Sequence, residues 1–481
     1  MHRREHPDPE AVLELRERLG PRQVLLPDEG LERYERAVLG DAVGSAAFVA
    51  RPRTTAEVRE VVRWAYRHRV QLVPQSANSG LVHAGIPDGS GAMGVLSLEL
   101  CKERLEVDRI ARTVTVSAGY DLDSLNEHLR PDGLMLPVDL GSSPGVGGMV
   151  ATNTGGTKVL GYGDVRRLIL GLEVVLADED ATVLDMLAGL RKNNTGLDLK
   201  QIFVSTGGTY GVVTAATFAL VSRPKQVATA WVAVADDTAA FELLQLLEAD
   251  AGQFLTSYES MSGKVLEIRR RHNPDLRIPF AAGRIPDVAM LVELSSTTPA
   301  GEGTSMEDVL VGVLDRAAGA GHVLDAFFGP PAEMWALRHS VDEHAKEGVS
   351  FWVDVSLPRS HIAEFRRRLF TLAATRFDGW DVLDLGHYGD GGIHVGLLYP
   401  FALGEPSDAE ADAFRLAVYE LVDELDGTFS AEHGIGPYNQ RYYHRFKDPA
   451  VQRLSGELKR VFDPRGILGV VDLGPAPPGE A

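Results

Sequence analysis

Two stretches of small residues constrain this chain more than anything else in it. One is Pro74-Gln75-Ser76-Ala77-Asn78-Ser79-Gly80-Leu81. The other begins Pro137-Val138-Asp139-Leu140-Gly141-Ser142-Ser143-Pro144-Gly145-Val146-Gly147-Gly148 and continues Met149-Val150-Ala151-Thr152-Asn153-Thr154-Gly155-Gly156. Loops with so little side chain let backbone N–H groups approach a ligand closely, and a pyrophosphate needs several such donors. Neither stretch has the GxGxxG spacing of a Rossmann helix or the GxxxxGK[ST] spacing of a phosphate loop, which weakens a nicotinamide or ATP reading. Taken alone, each loop reads more readily as a structural turn than as a cofactor site.

The flanks have a β–α–β rhythm. Phe48 to Pro52 reads as a strand, and Thr54-Thr55-Ala56-Glu57 as a capped helix start carrying Val58, Val61, Val62 and Ala65 on one face. Val70 to Pro74 and Thr113 to Ala118 read as strands, and Leu122 to Leu129 as a short helix. Leu168 to Leu176 and Ala181 to Leu187 read as two strands joined by a polar turn, and Phe203 to Leu220 as a further strand pair around glycines. The residues before about 40 read as helical lead-in segments. Arg223-Pro224-Lys225 marks a boundary. Beyond it, further strands and helices end in strand-borne histidines, which predicts an antiparallel sheet covered by helices.

Length agrees with several domains: 481 residues exceed what one hydrophobic core of ordinary size serves. The expected division is 1–225, 226–440 and a C-terminal helical segment, 441–481, returning to the first domain. Acidic residues outnumber basic ones 68 to 48, for a formal charge of -20. That charge repels nucleic-acid phosphates and anionic lipid, so neither is an expected partner. Cys101 is the only cysteine. It permits no internal disulfide and no CxxC site, and it reads as a small buried residue. Met1 to Glu10 lacks the apolar core of a signal peptide, and no apolar stretch is long enough to span a bilayer. The expectation is a cytoplasmic protein without a membrane span.

In order and with their flanks, the two loops resemble the FAD-binding domain of the vanillyl-alcohol oxidase (PCMH-type) superfamily, in the branch of D-2-hydroxyacid dehydrogenases that includes D-lactate and D-2-hydroxyglutarate types. Leu170 to Ala177, Arg191 to Leu199 and Gly208 to Thr214 support the resemblance, which extends from about Phe48 to Gly466. It implies an α+β protein: a PCMH-type FAD-binding domain plus a cap domain with an antiparallel sheet covered by helices. It implies that the first loop, Pro137, Gly147 and Gly148 hold FAD, with Gly147-Gly148 at the pyrophosphate. By the same resemblance Ala151, Thr152, Asn153, Gly155 and Gly156 lie by the flavin, and Gly208, Gly211 and Val213 close over the adenosine side. Two positions depart from the pattern. The first loop usually reads Arg-Gly-Gly-Asn-Thr-Gly, so Gln75 replaces a cation, and Gly207 stands where Glu is usual. Covalently flavinylated members carry a His near the position of Asn78, so FAD is expected to be non-covalent.

A second constellation is His387-Tyr388-Gly389-Asp390-Gly391-Gly392-Ile393-His394 together with Ser430-Ala431-Glu432-His433-Gly434-Ile435-Gly436. Two His and one carboxylate form a common set for zinc or a similar divalent ion and leave positions open for substrate. A lone His in an apolar strand is usually only packed, and distant residues cannot be shown to converge from sequence. The resemblance supplies the convergence, because metal-dependent members carry HxGDGNxH followed by EHGxG. It implies His387, His394 and Glu432 as ligands, zinc being the first candidate, and His433 as general base. The metal would polarise the substrate hydroxyl, His433 would take its proton, and the carbon-bound hydrogen would leave as hydride to flavin N5.

At the substrate end the motif changes. Gly392 replaces an Asn that helps hold 2-hydroxyglutarate. Of the Arg, Thr and Lys that bind carboxylates in such enzymes, Arg338 matches the first, Asp342 replaces the second and Trp352 the third. Asp pairs with ammonium and Trp stacks on a cation or sugar face, so an amino-bearing or polyol substrate competes with a 2-hydroxy acid. Asp342 as a plain solvated helix residue is the bland alternative. Metal-assisted hydrolysis and an idle flavin-binding protein are rival classes. Oxygen, quinone, a cytochrome or an electron-transfer flavoprotein all fit as electron acceptor, and a homodimer is a family-level expectation.

Overall fold

The computed structural model describes residues 6–280, 285–339 and 342–477. The chain divides into two compact units, Met1–Gly155 with Asp164–Ser222 and Glu432–Ala481, and Gly156–Gly163 with Arg223–Ala431. The C-terminal return therefore begins at Glu432, ahead of the expected 441. The short segment Gly156–Gly163, expected in the first domain, belongs with the second unit.

The first unit holds a four-stranded sheet in the order Val24–Leu25, Ala46–Ala50, Met93–Ser97, Leu72–Gln75. Its last three strands are parallel, as a β–α–β connection requires. The crossover helix is Thr55–His68, whose cap is the Thr54 hydroxyl accepting from the Glu57 N–H at 3.2 Å. The helix buries Val58, Val61, Val62, Trp64 and Ala65 in one core with Leu72, Leu96 and Cys101. The lead-in is helical over Pro9–Leu19, but Val24–Leu25 pairs antiparallel with Ala50 and Val49 instead of continuing the helix. Gly20-Pro21 breaks the helix and frees an apolar pair for the sheet edge.

A five-stranded antiparallel sheet completes this unit, in the order Leu105–Asp108, Thr113–Ser117, Val212–Ala219, Ile169–Val175, Val183–Met186. The last two form the expected hairpin. The strand pair expected over Phe203 to Leu220 is instead the one strand Val212–Ala219. Before it, Gly207 and Gly208 take φ of +60° and +73°, and the N–H groups of Ser205 and Gly207 donate to the Val150 and Ala151 carbonyls at 3.1 and 2.9 Å. Left-handed glycines bonded back to a helix cannot also extend as a strand.

The second unit is built on a seven-stranded sheet in the order Val323–Gly329, Gln226–Val234, Val288–Ser296, Leu255–Ser262, Asp381–His387, Gly392–Pro400, Gly348–Ser356. Every pairing in it is antiparallel. Helices Asp237–Ala251, Gly263–His272, Met306–Gly319, Ile362–Arg376 and Asp408–Glu424 pack against it. This is the antiparallel, helix-covered sheet expected from sequence. All eight residues of Leu255–Ser262 are buried, so that strand shows no alternation by which to read it.

Candidate active site

In the first unit, a cavity of about 420 Å³ opens between the two small-residue loops, a volume in the range of ligand sites. Pro74, Gln75, Ser76, Ala77, Asn78, Ser79, Gly80 and Leu81 line it from one loop, and Gly148, Ala151, Thr152 and Gly155 from the other. Glu432 and His433 line the same cavity. Gly147, Gly208, Gly211 and Val213 line a smaller adjoining cavity of about 40 Å³ together with Pro74 to Ser76. Three expected positions lie off both. Pro137 is buried. Asn153 caps the helix Val146–Thr152 and binds Asp164 Oδ2 at 2.7 Å. Gly156 falls in the second unit. Val38 and Leu39 line the large cavity without having been anticipated; two adjacent apolar residues just before Gly40 were the available signal.

The lining suits a dinucleotide held by backbone. Gly145 comes so close to the first loop that a Cβ there would stand 2.1 Å from Ser76 Oγ and 3.3 Å from the Ala77 nitrogen. A Cβ on Gly148 would stand 3.4 Å from Ser76 Cβ. The two glycines therefore let the second stretch pack directly on the small Ser76 side chain and the Ala77 nitrogen, a close approach of the kind that a backbone cradle for pyrophosphate oxygens needs. Gln75, in place of the usual cation, is turned away from this role: its amide donates to the Tyr34 and Gly85 carbonyls at 2.9 and 2.6 Å.

In the second unit, His387 ends one strand and His394 stands on the next, and their Nε2 atoms are 3.2 Å apart. Each ring is backed by a carboxylate at Nδ1. Glu259 Oε1 lies 2.9 Å from His387 Nδ1, and Asp354 Oδ1 lies 3.5 Å from His394 Nδ1. Asp354 is directly across the ladder from His394, and its Oδ2 accepts from the Ala431 N–H at 3.0 Å. Glu432 is the next residue in the chain. Burial pushes the Glu259 carboxyl up, but His387 and Arg338 outweigh it and hold the carboxyl below the usual range.

The residues expected at the substrate are placed differently from one another. Arg338 is buried and grips Glu259 Oε2 through Nε and Nη2 at 3.0 and 2.9 Å, so it joins the histidine pair through that carboxylate. Trp352 donates its indole N–H to His344 Nε2 at 3.1 Å, and Asp342 is exposed. Gly392 has its N–H on Asp390 Oδ1 at 3.0 Å, and a Cβ there would come within 3.4 Å of His387. Glu259 escaped the sequence reading because its strand carries no periodic signal.

Residues 46–185 match the FAD binding domain family, and residues 223–470 match the C-terminal domain of FAD linked oxidases. The chain belongs to the FAD-linked oxidase family. Among its relatives in that family is the mitochondrial D-2-hydroxyglutarate dehydrogenase of Danio rerio, 32% identical over 440 residues, covering 88% of this chain and 78% of that protein. The D-2-hydroxyglutarate dehydrogenase of Stutzerimonas stutzeri is 27% identical over 468 residues, covering 96% and 98%. Among solved structures, p-cresol methylhydroxylase superposes with a TM-score of 0.70 at 17% identity over 95% of both chains. Alkyldihydroxyacetonephosphate synthase does so with a TM-score of 0.71 at 16% identity, over 96% of this chain and 86% of that one. These likenesses bear out the α+β, PCMH-type fold. This member of the family is a FAD-linked oxidoreductase.

Proposed function

We propose that the chain is a dehydrogenase of 2-hydroxy acids that uses non-covalent FAD and a divalent metal, zinc being the first candidate. The observation that carries the metal is the facing pair of Nε2 atoms at 3.2 Å, each imidazole having a carboxylate at Nδ1. Glu259 at His387 Nδ1 favours a lone pair on His387 Nε2, and with His394 Nε2 beside it the two ring nitrogens are close enough to share one cation. His387 and His394 would supply two imidazoles to that ion, and the family resemblance adds the Glu432 carboxylate as the third ligand, a set that suits zinc.

The loop residues and glycines lining the first unit's cavities would hold FAD. Asn78, which donates to the Arg33 and Arg36 carbonyls at 3.3 and 3.0 Å, offers no nucleophile for covalent attachment. Bound, FAD supplies a hydride acceptor and the metal a Lewis acid for the substrate hydroxyl. His433, on the wall of the cavity, takes the hydroxyl proton, work a neutral imidazole performs well near neutral pH. The relatives named D-2-hydroxyglutarate dehydrogenase support a hydroxy-acid substrate.

A second reading, oxidation of an amino-sugar or polyol hydroxyl, is favoured by one observation. The Arg338 guanidinium is occupied by Glu259, which takes a cation away from any second substrate carboxylate. The test is anaerobic flavin bleaching with a substrate panel, with and without chelator. The expected result is a yellow protein bleached by a 2-hydroxy acid and slowed by chelator. Bleaching by amino alcohols or polyols alone supports the second reading. A colourless protein that FAD cannot reconstitute sinks both, and a yellow protein inert to every alcohol leaves only flavin binding.

A further inference from the structure

We propose that Glu259 is the positioning residue of the histidine pair and that Arg338 serves Glu259 rather than the substrate. This rests on the metal reading above and goes beyond it, because neither residue belongs to the ligand set.

Glu259 is 2% exposed and lies on the strand Leu255–Ser262, which pairs with the His387 strand at Ser260–Gly386 and Met261–Leu385. Its two oxygens are divided between two partners. Oε1 takes His387 Nδ1 at 2.9 Å; Oε2 takes Arg338 Nε at 3.0 Å and Nη2 at 2.9 Å. The first contact fixes the tautomer and plane of the imidazole and makes Nε2 a stronger donor to a metal. The second explains why so buried a carboxylate is tolerated: an unpaired buried charge is strongly destabilising, and a guanidinium with two N–H groups on one oxygen offsets it. Arg338 is the last residue of the helix Pro331–Arg338, where the helix dipole also favours a cation.

The two histidines are not supported equally. His394 Nδ1 stands 3.5 Å from Asp354, whose other oxygen is spent on the Ala431 N–H. His387 has the shorter contact, to a carboxylate oxygen opposite a fixed arginine. Orientation of the pair therefore depends more on Glu259 than on Asp354. An Arg338 held in this way has its charge met from within the protein, so it acts on the reaction through His387.

The experiment titrates Zn2+ or Co2+ into full-length, flavin-loaded protein stripped of metal by chelator, and follows metal Kd, the Co2+ absorption spectrum and substrate KM. Glu259→Gln keeps the shape and removes the charge. It is expected to weaken metal binding about 10- to 100-fold and to shift the Co2+ spectrum. Glu259→Gln/Arg338→Met removes both charges, so the same loss is expected without a stranded buried cation should the single variant fold poorly. Arg338→Met alone is expected to weaken metal binding, and Arg338→Lys to restore most of it. Wild-type affinity in both Glu259 variants overturns the role of Glu259. An Arg338→Met variant that raises KM while leaving metal Kd and the Co2+ spectrum unchanged overturns the role of Arg338. A wild-type protein that takes up no metal overturns the metal reading and this inference together, whereas wild-type binding with an indifferent Glu259 overturns this inference alone.

Discussion

His387 Nε2 and His394 Nε2 face each other at 3.2 Å across a single hairpin, Asp381–His387 and Gly392–Pro400. The turn between them makes this approach possible. Gly391 has φ +98°, and a Cβ there would meet the Leu357 carbonyl oxygen at 2.4 Å, so the position requires glycine on both counts. The HxGDGGxH spacing is thus a backbone requirement as much as a chemical one.

His394→Ala should abolish the proposed metal binding and spare the flavin. The loops and cavities proposed for FAD belong to the first unit and His394 to the second. Lewis-acid polarisation is worth several kcal/mol, so turnover should fall on the order of 100-fold or more. Metal analysis, visible flavin absorbance and turnover check this together. Full activity in a metal-free His394→Ala protein would remove the metal from the mechanism.

Flavin retention should depend on the Gly145–Ser76 approach. Gly145→Ala places a Cβ 2.1 Å from Ser76 Oγ, which can rotate aside, but also 3.2 Å from Ser76 Cβ and 3.3 Å from the Ala77 nitrogen, which must shift. Overpacking of this kind costs about 1–3 kcal/mol, so the flavin-to-protein ratio after dialysis should report roughly tenfold weaker binding. Gly145→Val should be nearly colourless while still folded by circular dichroism. Pairing Gly145→Ala with Ser76→Gly should recover flavin; no recovery would mean that the approach is not what holds the loops.

What could be read from the sequence depended on how each residue announces itself. The two small-residue loops pointed to one cofactor site only in order and with their flanks, because each alone reads as a turn, and the cavity they line lies where that reading put it. Glycines punctuating their spacing drew attention to His387 and His394, but that the two rings meet was implied by the family resemblance and not by the spacing. Glu259 was hidden: in Leu-Thr-Ser-Tyr-Glu-Ser-Met-Ser every residue is buried, so neither period 2 nor period 3.6 marks it. Gly207 and Gly208 misled, since a β-rich composition on either side suggested a strand where left-handed glycines make a loop. The transfer of Gly156–Gly163 to the second unit had no local signal, because it depends on Lys158 finding Glu293, far away in sequence.

That pair should matter for stability. Glu293 accepts Lys158 Nζ at 2.5 Å and Thr256 Oγ1 at 2.8 Å on one oxygen, and the Trp335 indole N–H at 2.7 Å on the other. The Lys158 ammonium also lies 4.3 Å from the centre of the Trp335 ring. Removing one partner of a buried pair strands the other at a cost of about 3–5 kcal/mol. Glu293→Gln should be milder than Glu293→Ala, which should lower Tm by roughly 10 °C, because the amide keeps the volume and one acceptor oxygen for part of the network. An unchanged Tm in Glu293→Ala would show that Lys158 is well solvated.

Cys101 should be inert in the native protein and should make it alkali-sensitive. Its side chain is fully buried, with Sγ 3.9 Å from the Thr214 carbonyl oxygen. Burial first, then the charges of Glu103, Glu173 and Glu57, push the thiol up to about 12 from 9.0, against a smaller opposing pull from Arg104. The folded-state pKa is raised, so the stabilising contribution is fully present below pH 9.0 and is lost as pH climbs towards about 12. In that window the unfolded thiol ionises and the folded one does not; at about 1.4 kcal/mol per unit the loss reaches about 4 kcal/mol. Iodoacetamide near pH 8 should label Cys101 only in denaturant, since the thiolate is the nucleophile. Cys101→Ala should flatten the decline of denaturation midpoint above pH 9.0 relative to the parent. Rapid labelling of the native protein would show that the thiol is reached by solvent, and an equal alkaline decline in Cys101→Ala would show that other groups cause it, among them the tyrosines whose hydroxyls burial raises in the same direction, such as Tyr210, Tyr258 and Tyr388.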